Sequence, residues 1–96
     1  RRLRSMATYR VMSWRGIPSQ VKVTDDTGAT VSRMLPASFQ QEIDRVAMAE
    51  GLVGTDDYLD AWAWSDEAER AGAAEEVAEA VVTEVAEAWQ NEHGAG

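Results

Sequence analysis

Four tryptophans are the side chains of this sequence best suited to recognising a ligand or a partner. Trp14 is followed at once by Arg15, and an exposed Trp beside an Arg is the composition of a binding hot spot. Core packing is the competing interpretation, because large aromatic side chains anchor the cores of small domains. In a chain of 96 residues, however, we do not expect all four rings to fit inside. The predicted interaction edge consists of Trp14, Arg15, Pro18, Gln20, Trp62 and Trp64.

The residues needed for nucleophilic catalysis are scarce. The chain has no cysteine, and its one histidine, His93, lies in a glycine-rich tail near the end. An imidazole held so loosely would be poorly oriented as a general base. No glycine-rich phosphate-binding motif occurs. We therefore predict no catalytic residues and no enzymatic activity, although two of the seventeen acidic side chains could still converge as an acid–base pair.

Three pairs of identical adjacent acids raise the question of a metal site: Asp25-Asp26, Asp56-Asp57 and Glu75-Glu76. None of them follows the ligand spacing of a calcium-binding loop. Each pair falls in a predicted turn or at a predicted helix start, where carboxylates accept hydrogen bonds from backbone N–H groups. We interpret them as capping and solvated residues, and we predict no metal and no cofactor.

The net charge is unevenly distributed along the chain. The total is −8, but residues 1–41 carry +5 and residues 42–96 carry −13. The simpler interpretation is a solvated acidic helical surface beside a weakly basic sheet. The alternative is a bipolar surface whose field orients a partner. Nucleic acid binding is not expected, because a chain with a pI of about 4.5 lacks the concentrated cationic face that a phosphate backbone requires.

Alternating apolar and polar residues predict strands in the first third of the chain. Residues 8–14 and 20–24 show period-two patterns rich in β-formers, which predicts an antiparallel hairpin. Residues 15–19 contain Gly and Pro and predict a connecting loop of about five residues. Residues 25–28 form a turn signal, and residues 29–34 are a weaker candidate for a third strand.

Helical periodicity predicts two amphipathic helices. The first begins at Pro36, whose missing N–H costs little in the first turn, and ends near Gly51. The second spans residues 73–90, where apolar side chains recur every four residues as far as Trp89. Between the helices, residues 58–64 fit a strand or a short helix, and both alternatives stay open. Acidic residues 65–72 are predicted to be extended or irregular.

Together these elements predict an α+β fold in which an N-terminal antiparallel hairpin or small sheet packs against two amphipathic helices. We predict a single domain at residues 8–90. Residues 1–7 are expected to be disordered or foreign to the fold, and residues 91–96 to form a disordered tail. No apolar run approaches the ~18 residues of a membrane span, and the N-terminus lacks the apolar core of a secretory signal. We therefore expect a cytoplasmic protein that contacts no membrane.

Four stretches of the chain carry a resemblance to a known family. They are YRVMSWRGIPSQVKV, LPASFQQEIDRVAMAEGL, TDDYLDAWAW and GAAEEVAEAV. In this order, over residues 8–89, they resemble the small bacterial family known as "virulence factor", a domain of which also closes a longer staphylococcal protein. The resemblance implies a helper or subunit role, since stand-alone members often lie near genes for folate-dependent one-carbon enzymes, including methylenetetrahydrofolate reductase-like proteins. It assigns no catalytic residues.

Two functional hypotheses follow from the residues and the resemblance. The first is a cytoplasmic accessory protein that binds another protein through the hairpin face, the acidic helix or both. Its partner would be a protein with a basic surface or a folate-dependent enzyme. The second is a protein that binds a pterin or a nucleotide-like ligand, with Trp and Arg stacking on and clamping a planar anion. A homodimer formed through the apolar face of the last helix is compatible with both.

Overall fold

The structure, a computed structural model, describes residues 6–93 and confirms the predicted α+β class. In chain order its elements are β1 Met6–Trp14, β2 Ile17–Asp25, β3 Thr30–Met34, α1 Ala37–Ala49, α2 Asp56–Asp60, β4 Trp62–Trp64, β5 Ala68–Ala71 and α3 Ala74–His93. The strands form one antiparallel sheet in the order β3-β2-β1-β4, and β5 also pairs with β1. The long α3 packs across β1, β2 and β3, and the shorter α1 contacts β2.

A two-residue turn joins β1 to β2. Arg15 and Gly16 occupy it with φ of 50° and 85°, and this pair of positive values matches the twist of a tight hairpin. The predicted loop of five residues was therefore wrong, because β2 begins immediately after Gly16 and includes Pro18. Glycine at the second turn position avoids the steric penalty that a side chain would meet there.

A bulge in β2 accommodates the proline. Ser13 pairs with Pro18 and Met12 pairs with Gln20, so Ser19 has no directly opposed partner in β1. A strand tolerates proline at a bulge because the ladder is already interrupted there, and the missing N–H removes no regular hydrogen bond. The extra residue also decides which side chains oppose one another, since it brings Gln20 rather than Ser19 opposite Met12.

The predicted third strand is confirmed as β3, and Asp25 organises the turn before it. Its Oδ1 accepts hydrogen bonds from the Thr27 hydroxyl at 2.6 Å, the Thr27 N–H at 2.9 Å and the Ala29 N–H at 3.1 Å. The bond from the Thr27 hydroxyl is the main reason why the pKa of the Asp25 carboxyl lies below its usual value. Its Oδ2 also accepts from the Ala74 N–H at 3.4 Å, so one side chain joins this turn to the start of α3.

The ambiguous segment at residues 58–64 contains both of the predicted alternatives. Its first part lies in α2, where the Thr55 hydroxyl caps the helix by accepting from the Tyr58 N–H at 3.2 Å. Its last part is β4, which pairs with β1 near Met12. The next segment, predicted as extended or irregular, contains β5, which pairs with β1 near Met6. The two short strands together line the side of β1 that faces away from β2.

Both predicted helices are confirmed. α1 follows Pro36 at its N-cap and is terminated before Gly51, which has a φ of 69°. α3 continues to His93, so residues 91–93 are helical and not a disordered tail. β1 likewise begins at Met6, two residues before the predicted domain boundary. The predictions for residues 1–5 and 94–96 lie outside the described residues.

One face of the sheet is covered by α3, and the other is open except at the Trp14 and Trp62 end, where Tyr58 of α2 packs. Val21 and Val23 of β2 are fully buried in the same core as Val77 and Val81 of α3. Lys22 lies between these two valines and is exposed, because successive side chains of a strand point to opposite faces. We call the uncovered side the open face. From the strand pairing, it carries Thr8, Arg10, Met12, Gln20, Lys22, Thr24, Thr30, Ser32, Met34 and Trp64.

Candidate functional site

A row of large side chains crosses the open face. Met12 pairs with Trp64 on one side and with Gln20 on the other, and Gln20 pairs in turn with Met34. Directly paired residues point to the same face and lie close enough to contact one another. Trp64 is 37% exposed and Met34 is 60% exposed, whereas Met12 and Gln20 are half-buried. The row therefore offers two accessible apolar side chains on either side of a packed centre.

Two cations lie beside this row. Arg10 and Lys22 oppose each other across β1 and β2, and both are exposed. The Arg10 Nε atom lies 3.8 Å from an Oε of Glu67, so one of the two cations has an acidic neighbour. A shallow groove of about 250 Å³ runs between these side chains. The groove is lined by Thr8, Tyr9, Arg10, Lys22, Thr24, Trp64 and Glu67.

The six residues of the predicted interaction edge fall into two separate groups. Gln20 and Trp64 both lie on the open face, in the row that Met12 joins. The other four belong to the packed end of the hairpin, near the turn between β1 and β2: Trp14, Arg15, Pro18 and Trp62. The structure therefore does not bring the predicted residues together as one surface.

Trp14 is buried, which corrects the expectation of an exposed ring. Its exposed fraction is 0%, and its indole N–H donates to the Tyr58 carbonyl at 2.9 Å. The Trp14 and Tyr58 rings pack with centroids 5.6 Å apart. The half-buried Trp62 ring meets the same tyrosine edge-on at 6.1 Å. The physical reason is α2, the element that the sequence pattern left undecided, because it places Tyr58 against Trp14.

Arg15 is exposed, but its charge is engaged within the chain. Its guanidinium forms an ion pair with Glu50 and lies 5.6 Å from the centroid of the Trp14 ring. Pro18 is buried within β2. These contacts stabilise the end of the hairpin, so Gln20 and Trp64 are the predicted residues that are best placed to meet a partner.

Sequence reasoning missed four residues of the site: Arg10, Met12, Lys22 and Met34. Part of the signal was present, because strand alternation puts Arg10 and Met12 on one side of β1 and separates Lys22 from the valines beside it. Their neighbours across the strands were not predictable from that pattern. Register depends on turn length and bulges, and a shift of one residue moves every side chain to the other face.

The acidic surface of α3 is partly paired within the chain. Arg33 lies 3.3 Å from carboxylate oxygens of both Glu75 and Glu79, and Arg70 lies 2.6 Å from Glu84. The hydrogen bond from Arg70 lowers the pKa of the Glu84 carboxyl. Exposed pairs of this kind add little stability. They do reduce the negative field that α3 presents to a partner with a basic surface.

His93 lies in the last turn of α3. Its ring stacks on Trp89 with centroids 3.7 Å apart, and its Nδ1 lies 3.2 Å from the Trp89 carbonyl oxygen.

Within residues 6–93, no group of three or more His, Asp or Glu side chains is close enough together to hold a metal ion. In the same part of the chain, no helix combines the length and the apolar character that crossing a bilayer requires.

Comparison with known proteins adds a family assignment to this geometry. A family model described as "Virulence factor" matches residues 12–93. The match begins within β1 at Met12 and ends with α3, so it includes the Trp64–Met12–Gln20–Met34 row. Searches of the curated proteins and of the solved structures found no significant match.

Proposed function

We propose that this chain, which belongs to the Virulence factor family, is a non-enzymatic accessory module. It binds another protein through the open face. The observation that supports this most directly is the exposed Trp64 in a row with Met12 and Met34. Trp and Met are enriched in protein interfaces, and a Trp at the centre of a contact contributes strongly to affinity. The uncovered face of an antiparallel sheet, by contrast, normally carries polar side chains.

The charges around the row define the chemistry of the partner. Arg10 and Lys22 flank the apolar centre as a cationic rim, which fits a partner surface that carries carboxylates around an apolar patch. A partner with a basic surface would have to use α3 instead. The pairing of Glu75, Glu79 and Glu84 with arginines of the same chain makes that alternative less favourable. A folate-dependent one-carbon enzyme, the partner implied by the family resemblance, is the first candidate to test.

Replacing Trp64 by alanine is expected to weaken binding to such a partner about 30-fold, which corresponds to about 2 kcal/mol. The loss follows from removing the large, accessible aromatic contact at one end of the row. Isothermal titration calorimetry with a methylenetetrahydrofolate reductase-like enzyme from the same source would measure the affinity. A native pull-down with both forms of the protein would extend the comparison to other partners.

The matched control is Met48→Ala, which truncates a side chain that is 71% exposed on α1, away from the open face. This variant is expected to bind as the unaltered protein does. If Trp64→Ala binds every partner with unchanged affinity, the open face is not the contact surface. If Met48→Ala loses as much affinity as Trp64→Ala, the contact is not specific to the open face.

A second candidate function is the binding of a planar anion, such as a pterin or a nucleotide, in the groove beside Trp64. An aromatic ring next to Arg10 and Lys22 has the composition for stacking and charge pairing. The groove is smaller than the roughly 300–1,000 Å³ of pockets that bury small ligands, which favours protein contact.

Tryptophan fluorescence separates the two candidates. If the groove binds a pterin, titration is expected to quench the emission in a saturable manner, and the quenching should largely disappear in Trp64→Phe. A flat response of the unaltered protein to pterins and nucleotides would rule out the second candidate and leave the first untouched.

A further inference from the structure

The outer edge of β3 presents backbone hydrogen-bonding groups that have no strand beside them within residues 6–93. The orientation of these groups follows from one bond, in which the Leu35 N–H donates to the Ser19 carbonyl at 2.9 Å. Backbone groups alternate along a strand of an antiparallel ladder, so those of Val31 and Arg33 also point to β2. The N–H and C=O groups that point outward are those of Thr30, Ser32 and Met34.

The same alternation holds on the other side of the sheet. Val11 donates its N–H to the Ser65 hydroxyl and accepts from the Ser65 N–H at 2.8 Å, so its backbone groups point away from β2. The backbone N–H and C=O groups of its two neighbours in β1 then point to β2. In β2, the backbone groups of Val21 and Val23 point to β3. Both ends of the sheet therefore give one consistent assignment of the outward groups.

The outward-facing positions of this edge carry few of the devices that usually prevent strands from pairing. Exposed edges are commonly blocked by lysine, proline, a bulge or an inward-pointing charge. The outward-facing residues of β3 are instead uncharged, and Met34 is 60% exposed. Arg33, the one charged residue of β3, lies on the α3 side and pairs with Glu75 and Glu79. On the opposite side of the sheet, β4 and β5 line β1.

We propose that β3 pairs antiparallel with β3 of a second copy, about a twofold axis that passes through Ser32. In this register Ser32 faces its counterpart and Thr30 faces Met34 of the second copy, so each outward N–H meets an outward C=O. Val31 faces Arg33 of the second copy, so no like charges oppose each other. β3 can therefore pair with an identical β3 strand. A contact with twofold symmetry joins two copies and leaves no β3 edge free for a third.

Two features of the seam favour a second copy over an unrelated strand. On the α3 side, the charge of each Arg33 is paired with Glu75 and Glu79 of its own copy, so the residue that faces Val31 across the seam is a compensated cation. On the other side, the two open faces join into one surface, and Thr30 of each copy continues the row that ends at Met34. The dimer inference rests on the β3 edge alone and does not depend on the proposed function.

The proline variant Ser32→Pro tests the edge directly. Because the Ser32 N–H points outward, proline removes a donor from the dimer seam and leaves the ladder between β2 and β3 complete. Sedimentation velocity at micromolar concentrations is expected to show a dimer for the unaltered protein and for Ser32→Ala. Ser32→Pro is expected to sediment as a monomer, with dimer affinity reduced at least tenfold and an unchanged circular dichroism spectrum.

A cysteine variant gives a second readout that does not depend on how proline is tolerated. The chain has no cysteine, so Ser32→Cys can form a disulfide only between copies. Mild oxidation is expected to cross-link it readily, whereas Ser38→Cys, exposed on α1, should stay largely monomeric. An unaltered protein that remains monomeric at concentrations up to about 1 mM, where even weak dimers are populated, would overturn the proposal. The proposal would also be wrong if Ser32→Pro remained a dimer. It would be wrong as well if Ser32→Cys failed to cross-link.

Discussion

Replacing Trp14 by alanine is expected to lower the free energy of unfolding by about 4 kcal/mol. The indole is fully buried, so its removal leaves a cavity at the end of the hairpin. It also removes the packing against Tyr58 and leaves the Tyr58 carbonyl without its indole donor. Small domains are stable by only about 5–15 kcal/mol, so this loss is a large part of the total free energy of unfolding. Urea unfolding followed by circular dichroism would measure the loss.

Trp64→Ala is the matched control for this experiment, because it makes the same substitution at an exposed ring. Its free energy of unfolding is expected to fall by no more than about 1 kcal/mol. Trp14→Phe should fall between the two, since it keeps an aromatic ring and loses the hydrogen bond. If Trp14→Ala and Trp64→Ala proved equally stable, the distinction between a structural and an accessible tryptophan would be wrong.

The contrast between these two tryptophans also decides how binding data are interpreted. A loss of partner affinity in Trp14→Ala would follow from a disturbed hairpin and would not locate a contact. Arg15 is subject to the same reservation, because it is tied to Glu50 and lies over the Trp14 ring. Trp64 and Met34 can be truncated with much less effect on the core, so substitutions there report on the open face itself.

Gly72→Ala is expected to lower the free energy of unfolding by about 3 kcal/mol, through backbone strain together with crowding. Gly72 lies between β5 and α3 with a φ of 133°, a conformation that side chains disfavour. A Cβ atom there would meet Cγ2 of Val77 at 3.1 Å. Val77 is 1% exposed in the core, so it has little freedom to move away. Urea unfolding would again provide the measurement.

Gly54→Ala measures the backbone cost at a positive φ without a crowding contact. Gly54 also has a positive φ, of 81°, but a Cβ atom at this position would have nothing within 4 Å. Its substitution should therefore lower stability by only about 1 kcal/mol, from the backbone alone. Equal losses for the two glycine variants would show that the contact with Val77 adds nothing.

Of the candidate site, the sequence identified Gln20 and Trp64, and it missed Arg10, Met12, Lys22 and Met34. The missed residues could each be placed on one side of a strand by alternation. Their assembly into one surface depends on the two-residue turn at Arg15-Gly16 and on the bulge at Ser19. A connection of about five residues would have paired the strands differently and given another set of neighbours.

The sequence by itself determined the class of the fold, the two hairpin strands and the two longer helices, and it indicated β3 more weakly. The periodicity of apolar residues in each of these elements shows which side of the element is apolar. This pattern can be recognised within one element, from a few helical turns or a few strand residues. Tertiary structure alone decided that Trp14 is inside and Trp64 is outside. The Trp14 indole is bonded to a carbonyl 44 residues further along the chain. No local pattern contains that information, because an apolar side chain looks the same in sequence whether or not a distant segment folds over it.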